Sequence, residues 1–187
     1  LTSAGSTDAY VSKLNSSGDY VWAKKFGGID GERGQSVAVD VSGNVYTTGF
    51  FKGTADFDPG VGTQDLTSAG SDDVFVSKLN SSGDYVWAKK FGGGGIDNGL
   101  SVAVDSSGNV YTTGAFSATV DFDPGAGTAN LTTLVTSDAY FAKYDTDGNY
   151  VFAKRIGGSS TNVSSFSIAT DAANNVFVTG NYSGTVD

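Results

Sequence analysis

Carboxylates stand in matched pairs along this sequence. Asp56 and Asp58 flank a phenylalanine in Asp56-Phe57-Asp58-Pro59-Gly60, and Asp121 and Asp123 do the same in Asp121-Phe122-Asp123-Pro124-Gly125. Acids two positions apart project from the same side of an extended segment, beside a Pro-Gly turn that exposes backbone carbonyls. Calcium takes oxygen ligands of both kinds. Calcium binding by Asp56, Asp58, Asp121 and Asp123 is therefore one expectation, and Ca2+ is the one cofactor the residues suggest. The competing reading has these side chains capping their own turns in water. A second motif, Asp145-Thr146-Asp147-Gly148-Asn149, resembles the start of a D-x-D-G-N calcium loop and would put Asp145, Asp147 and Asn149 on a cation. Its equivalents, Asn15–Asp19 and Asn80–Asp84, read as ordinary hairpin turns, and no downstream Glu completes a calcium-loop pattern.

Two carboxylates can also cleave a glycosidic bond. The chain has no His and no Cys, so neither the commonest general base nor a thiol nucleophile is present, and a Ser-His-Asp triad is impossible within it. A catalytic acid pair is normally a single constellation, whereas these pairs recur at one position of successive repeats. No catalytic residue is assigned. The glycine runs at Gly27-Gly28, Gly92–Gly95 and Gly157-Gly158 lack a following Lys-Ser/Thr and open no helix, so they read as crossings between sheets and not as phosphate cradles. Trp22 and Trp87, with Phe152 at the third position, could be sugar-stacking platforms; packing between sheets is the preferred reading. Lys24-Lys25, Lys89-Lys90 and Lys154-Arg155 read as charges that guard an outer strand edge against association.

The net charge of −9 argues against a nucleic-acid partner and against an anionic membrane surface. No apolar run is long enough to span a bilayer as a helix, so membrane insertion is not expected. Without Cys there is no disulfide framework and no zinc-thiolate site. Glu32 is the only Glu among 20 acids, and with 27 Gly the composition favours turns over helices. The absence of a starting Met and of a signal peptide reads as a piece taken from within a longer protein, or a mature form.

The elements that must position these residues repeat. Leu1 and Leu66, Lys13 and Lys78, Trp22 and Trp87, and Pro59 and Pro124 are each 65 residues apart. The repeats run 1–65, 66–130 and 131–187. The third slips by one residue within Gly157–Ser165, where a loop absorbs it. Each repeat carries the hairpin Ser36–Gly49, Ser101–Gly114 or Ser167–Gly180: two β-branched and aromatic runs around a polar turn. With the strands Asp8–Asn15 and Tyr20–Gly27 and their copies, this makes four antiparallel strands per repeat and about three blades' worth of strands in all. Lys52–Ser71 and Ser117–Ser137 read as long connections. The strands are apolar on both faces, as in Val74, Phe75, Val76 and Leu79, or Tyr85, Val86, Trp87 and Phe91. Two-sided burial needs each sheet packed between two others, which makes the expected fold an all-β propeller of four-stranded antiparallel blades. Divided by blade, residues 1–27 form an outer half, 34–92 and 99–157 full blades, and 164–187 an inner half.

The pattern SxAVDxSGNVYxTG, with a DAxVxKL strand and a GxYxWAKxFGG strand, resembles the bacterial SBBP-type β-propeller repeat and, more distantly, NHL-type blades. The resemblance covers essentially the whole chain. It implies a blade order with SVAVD innermost, NVYTTG second, DVFVSKLN third and YVWAKKFG outermost. It also implies an extracellular or cell-surface location, a structural or adhesive role, and no shared enzymatic activity; the long DFDPG connection departs from the pattern. The expected function is that of a non-catalytic structural or binding segment of a secreted or surface-attached bacterial protein. A glycan- or protein-binding lectin-like propeller and a carboxylate-based glycosidase or lyase are the alternatives. Expected partners are further blades of the same parent or a second copy closing the ring, and a glycan or surface protein.

Overall fold

The computed structural model describes residues 1–158 and 163–186. Strands β1 (Ala9–Leu14) and β2 (Tyr20–Gly28) form an antiparallel outer half sheet. A full meander follows: β3 (Glu32–Val39), β4 (Val45–Asp56), β5 (Asp65–Leu79) and β6 (Tyr85–Gly93), each antiparallel to the next. The next repeat runs β7 (Asn98–Val104), β8 (Val110–Phe116), a short hairpin β9 (Thr119–Asp121) and β10 (Asn130–Thr132), then β11 (Asp138–Tyr144) and β12 (Tyr150–Ile156). Its main sheet has the order β12-β11-β8-β7. An inner half sheet, β13 (Val163–Thr170) with β14 (Val176–Tyr182), ends the chain. No helix occurs among the described residues. The inner strands β3, β7 and β13 lie beside one another in succession. These are four-stranded propeller blades, in the strand order expected.

Each hairpin turn is closed by its own first residue. Asp40 Oδ1 accepts the Ser42 and Asn44 N–H groups at 2.9 Å each, and Gly43 takes φ 80°. Asp105 and Gly108 repeat this, as do Asn15, Asn80 and Asp145 with Gly18, Gly83 and Gly148 in the outer hairpins. In the last inner hairpin Asn174 takes the left-handed position at φ 64°, which Asn tolerates better than other residues bearing a Cβ.

The core lies between blades. Phe26, Phe51, Phe57, Phe75 and Leu79 are buried where the outer half blade meets the first full blade. Val76, Phe91, Phe116, Phe122, Tyr140 and Tyr144 fill the next junction, and Ala103, Tyr111 and Ile168 the last. The expectation of burial on both faces holds for the middle strands. The outermost strands depart from it: Val21, Val86 and Val151 are exposed, because an outermost strand has a blade neighbour over only part of its surface.

The long connections are not loops, and they raise the strand number from the twelve expected to fourteen among the described residues. Strands β4 and β5 run on past the main sheet, pairing Thr54–Asp56 with Asp65–Thr67; β9 and β10 do the same in the next repeat. Each extension also pairs with the outer strand of the preceding blade, Gly27 with Asp56 and Gly28 with Ala55, then Gly92 with Asp121 and Gly93 with Val120. The insertion therefore stitches one blade to the next. From Val163 on, the pairing keeps the slipped offset of 66; residues 159–162 of the loop expected to absorb it lie outside the described residues.

Candidate functional site

The acid pairs sit at the tips of these stitching hairpins. Asp56 Oδ1 accepts the N–H of Asp58 at 2.9 Å and of Gln64 at 2.8 Å, and Asp58 Oδ1 accepts the N–H of Gly60 at 2.8 Å. Asp121 and Asp123 repeat the arrangement with Asp123, Ala129 and Gly125 as donors. The geometry is that of a carboxylate folding its own turn. The residue between the two acids is the more deeply engaged. Phe57 is fully buried, with its ring centroid 4.9 Å from Phe75, 5.3 Å from Phe51 and 5.7 Å from Phe26. Phe122 is placed alike against Phe91, Tyr140 and Phe116 at 5.1, 5.1 and 5.5 Å.

Asp145 accepts the Asp147 and Asn149 N–H groups and the Asn149 side-chain amide, all at 2.9 Å, while Asp147 is exposed. Burial works against ionising Asp145, but the Asn149 and Asp147 donors prevail and hold its pKa below the ordinary carboxylate value. Asp40 and Asp105 are lowered in the same way; burial opposes it, and hydrogen bonds from Asn44 and Tyr46, or Asn109 and Tyr111, outweigh it. Among the described residues no three His, Cys, Asp or Glu side chains converge as a metal-ligand set.

A different group of acids is buried at the blade junctions. Asp8, Asp73 and Asp138 hold equivalent places where the third strand of each blade enters its main sheet, and each meets a base from the outermost strand: Lys25 at 3.0 Å, Lys90 at 3.1 Å and Arg155 at 2.9 Å. Each also accepts a backbone N–H from four residues earlier, Ala4, Ala69 or Leu134. Glu32 and Asp97 follow at the entry to the inner strands. Glu32 accepts the Gly28 N–H at 2.9 Å, while Asp97 accepts those of Gly93 at 2.8 Å and Ser117 at 3.0 Å. Burial raises the Asp97 carboxyl to about 6, against the hydrogen bonds from Ser117 and Gly93 and with Asp73 and Asp72 adding repulsion. Burial raises Glu32 as well, against its bond from Gly28. In the third junction Val163 occupies this place, paired with Tyr182 as Glu32 is with Phe51.

The paired glycines are explained by these contacts. A Cβ on Gly27, Gly92 or Gly157 would strike the carboxylate of Asp8, Asp73 or Asp138, and one on Gly28 or Gly93 would strike the carbonyl of Thr54 or Thr119 in the stitching hairpin. Lys25, Lys90 and Arg155 thus serve as counter-ions to buried acids and do not merely guard an edge. The indoles pack between blades as expected: Trp22 Nε1 donates to Ser81 O at 3.3 Å and Trp87 Nε1 to Thr146 O at 3.1 Å, each across a junction. The buried acids escape a reading centred on motifs. Their signal was present in the Asp8, Asp73, Asp138 spacing, matched 17 residues later by Lys25, Lys90 and Arg155 and then by glycine.

The family model of the SBBP beta-propeller repeat matches twice, over residues 86–115 and 151–181. Both matches begin in an outermost strand and end in the second strand of the following blade, so they span the junction just described. Those two stretches are similar to SBBP-type β-propeller repeats, in keeping with the bladed fold. It is 26% identical, over 88% of its length, to the uncharacterized WD repeat-containing protein L264 of Acanthamoeba polyphaga mimivirus. It is 28% identical, over 78% of its length, to the regulatory protein FlaEY of Caulobacter vibrioides. The chain spans only 13% and 15% of the length of these relatives. What SBBP repeats and a WD-repeat relative suggest for this chain is a binding or scaffold propeller.

Proposed function

We propose that this SBBP propeller segment is a non-catalytic scaffold of a secreted or surface-attached protein, with adhesion to a glycan or surface protein as its task. One observation carries the reading: both acid pairs, the strongest candidates for catalysis or metal binding, are spent identically on turn N–H groups around a buried phenylalanine. A device built the same way in successive blades serves the blades. The net charge of −9 favours neutral glycans or basic protein surfaces over polyanions.

A glycan array and a polysaccharide hydrolysis panel test this together, with wild type, Asp56→Asn and Asp121→Asn. Asn keeps the Oδ1 acceptor of the turn and removes the charge. The expected result is retention of the same ligands by all three, with no turnover. Hydrolysis that disappears in the variants would replace the scaffold reading with a carboxylate-based glycosidase or lyase. The same proteins address calcium. A turn role predicts melting temperatures within about 2 °C of one another, since a single kcal/mol moves a domain of this size by only a few degrees, with no response to millimolar calcium. Calcium-dependent stabilisation of wild type that Asp56→Asn abolishes would assign the hairpin to a cation instead.

A further inference from the structure

The first full blade carries a cluster that no other blade repeats. Arg33 and Phe50 face each other in the β3–β4 ladder, and Lys52 lies two residues beyond Phe50 on the same face of β4. That face is turned to the next blade, since Thr48 on it approaches Thr112 across the junction. In the second blade the facing pair is Asn98 and Ala115, and in the inner half blade it is Ser164 and Asn181. Ser117 takes the place of Lys52 in the second blade. Its hydroxyl folds back on Ile96, donating to the carbonyl at 3.0 Å and accepting the N–H at 2.8 Å. Lys52 gives only its backbone N–H to the matching Gly31 carbonyl, at 3.3 Å, and its side chain stays exposed. The Arg33 guanidinium lies 5.9 Å from the centre of the Phe50 ring. Among the described residues neither Arg33 nor Lys52 has an ion-pair partner. Both border an open cavity of about 430 Å³, with Thr7, Asp72 and Asn98 around it.

We propose that this cavity binds one hexuronic acid unit of a glycan, its carboxylate held by the Arg33 guanidinium and the Lys52 ammonium. The proposal rests on the glycan-adhesion reading above and gives it a site. A device common to successive blades serves the blades, whereas this one is confined to a single junction and is not needed to build the others. Two unpaired cations at one cavity repel each other, and an anion seated between them relieves that repulsion. The planar fork of a guanidinium matches a carboxylate, and the Phe50 ring holds the guanidinium in place. The Thr7 hydroxyl and the Asn98 amide both donate and accept, as sugar hydroxyls require. The volume falls in the range of small-molecule sites. Charge sets the ligand as a monoanion: two cations against the one lining acid, Asp72, leave a single positive charge. The net charge of −9 still disfavours a run of acidic sugars or a sulfated chain, so an isolated acidic unit is what the cavity fits.

The test is titration of the isotope-labelled chain with glucuronate, glucose and acetate, followed by amide and Arg33 side-chain NMR shifts. Glucuronate should give saturable shifts centred on Gly31, Arg33, Lys52 and Asn98. Glucose should give none, and acetate should bind more weakly than glucuronate. Arg33→Gln and Lys52→Gln, both at exposed side chains, should keep the β-sheet circular dichroism spectrum and weaken glucuronate by about tenfold or more, as loss of a charged hydrogen bond does. Asp72→Asn removes the one lining acid and should tighten it, a change of opposite sign that general damage to the fold would not produce. No saturable shift with glucuronate, an equal response to glucose or acetate, or undiminished binding by Arg33→Gln would each overturn the proposal. The glycan array separates this site from the adhesion reading. Glycans retained equally by wild type, Arg33→Gln and Lys52→Gln would remove the site and leave adhesion standing. An array that retains nothing, beside the expected glucuronate titration, would remove adhesion and leave the site.

Discussion

A carboxylate withdrawn from water keeps its charge only where donors or a counter-ion replace the lost hydration. Asp73 and Asp138 have both, a base and a backbone N–H, and both are fully buried. Asp97 has two backbone donors, but burial outweighs them, with repulsion from Asp73 and Asp72 adding to it, and its carboxyl is raised to about 6. The consequence for stability has a definite sign. The folded chain holds the Asp97 proton more tightly than the unfolded chain, whose carboxyl titrates near 3.8. Between about pH 4 and pH 6 the folded state therefore binds more protons, and stability falls as pH rises through that window. Glu32, also raised, acts in the same direction. Asp97→Asn removes one of these two contributions. Urea midpoints at the two ends of the window should show a smaller decline for Asp97→Asn than for wild type. Equal declines would mean that the charge on Asp97 costs nothing in the folded state.

At the scale of elements, the stitching hairpin shows what sequence patterns reveal and what they hide. Strand Asp138–Tyr144 and the part of Val45–Asp56 up to Phe51 were legible because β-branched and aromatic residues alternate around Asx-Gly turns, a local signal. The pairing of Gly28 with Ala55 was not legible, because it joins different blades and its only local trace is a glycine. For the same reason DFDPG drew attention to its acids, which have chemistry, and away from Phe57 and Phe122, whose role appears only when rings of their own blade and one from the preceding blade surround them. Those rings set the energetic weight. Phe57→Ala or Phe122→Ala should cost about 3–5 kcal/mol, the usual range for deleting a buried phenyl group. Denaturant unfolding monitored by tryptophan fluorescence would read this, since Trp22 and Trp87 sit at the two affected junctions. A cost below about 1 kcal/mol would show that the hairpin is an appendage and not a stitch.

At the scale of the molecule, each blade is held in two ways: by aromatic packing between sheets and by the backbone stitch from a preceding outer strand. The two devices are not evenly distributed. The first full blade receives a stitch from β2 and the second from β6, and both have aromatic clusters at the junction they share. The inner half blade β13–β14 has a small cluster of Ala103, Tyr111 and Ile168, and the acid of its junction is replaced by Val163. Strand β14 leaves Phe177 and Tyr182 in water. Local opening free energy follows buried contacts and paired backbone, so protection from amide exchange should be graded along the chain. Val74–Leu79 and Tyr140–Tyr144, each flanked by strands on both sides, should exchange most slowly and only by global unfolding. Val176–Tyr182 should exchange fastest among the strands, by opening of the half blade alone. Mass spectrometry of peptic fragments resolves the two regions. Uniform protection across them would mean that the half blade folds as one unit with the full blades, and that the stitches are not what sets the order of stability.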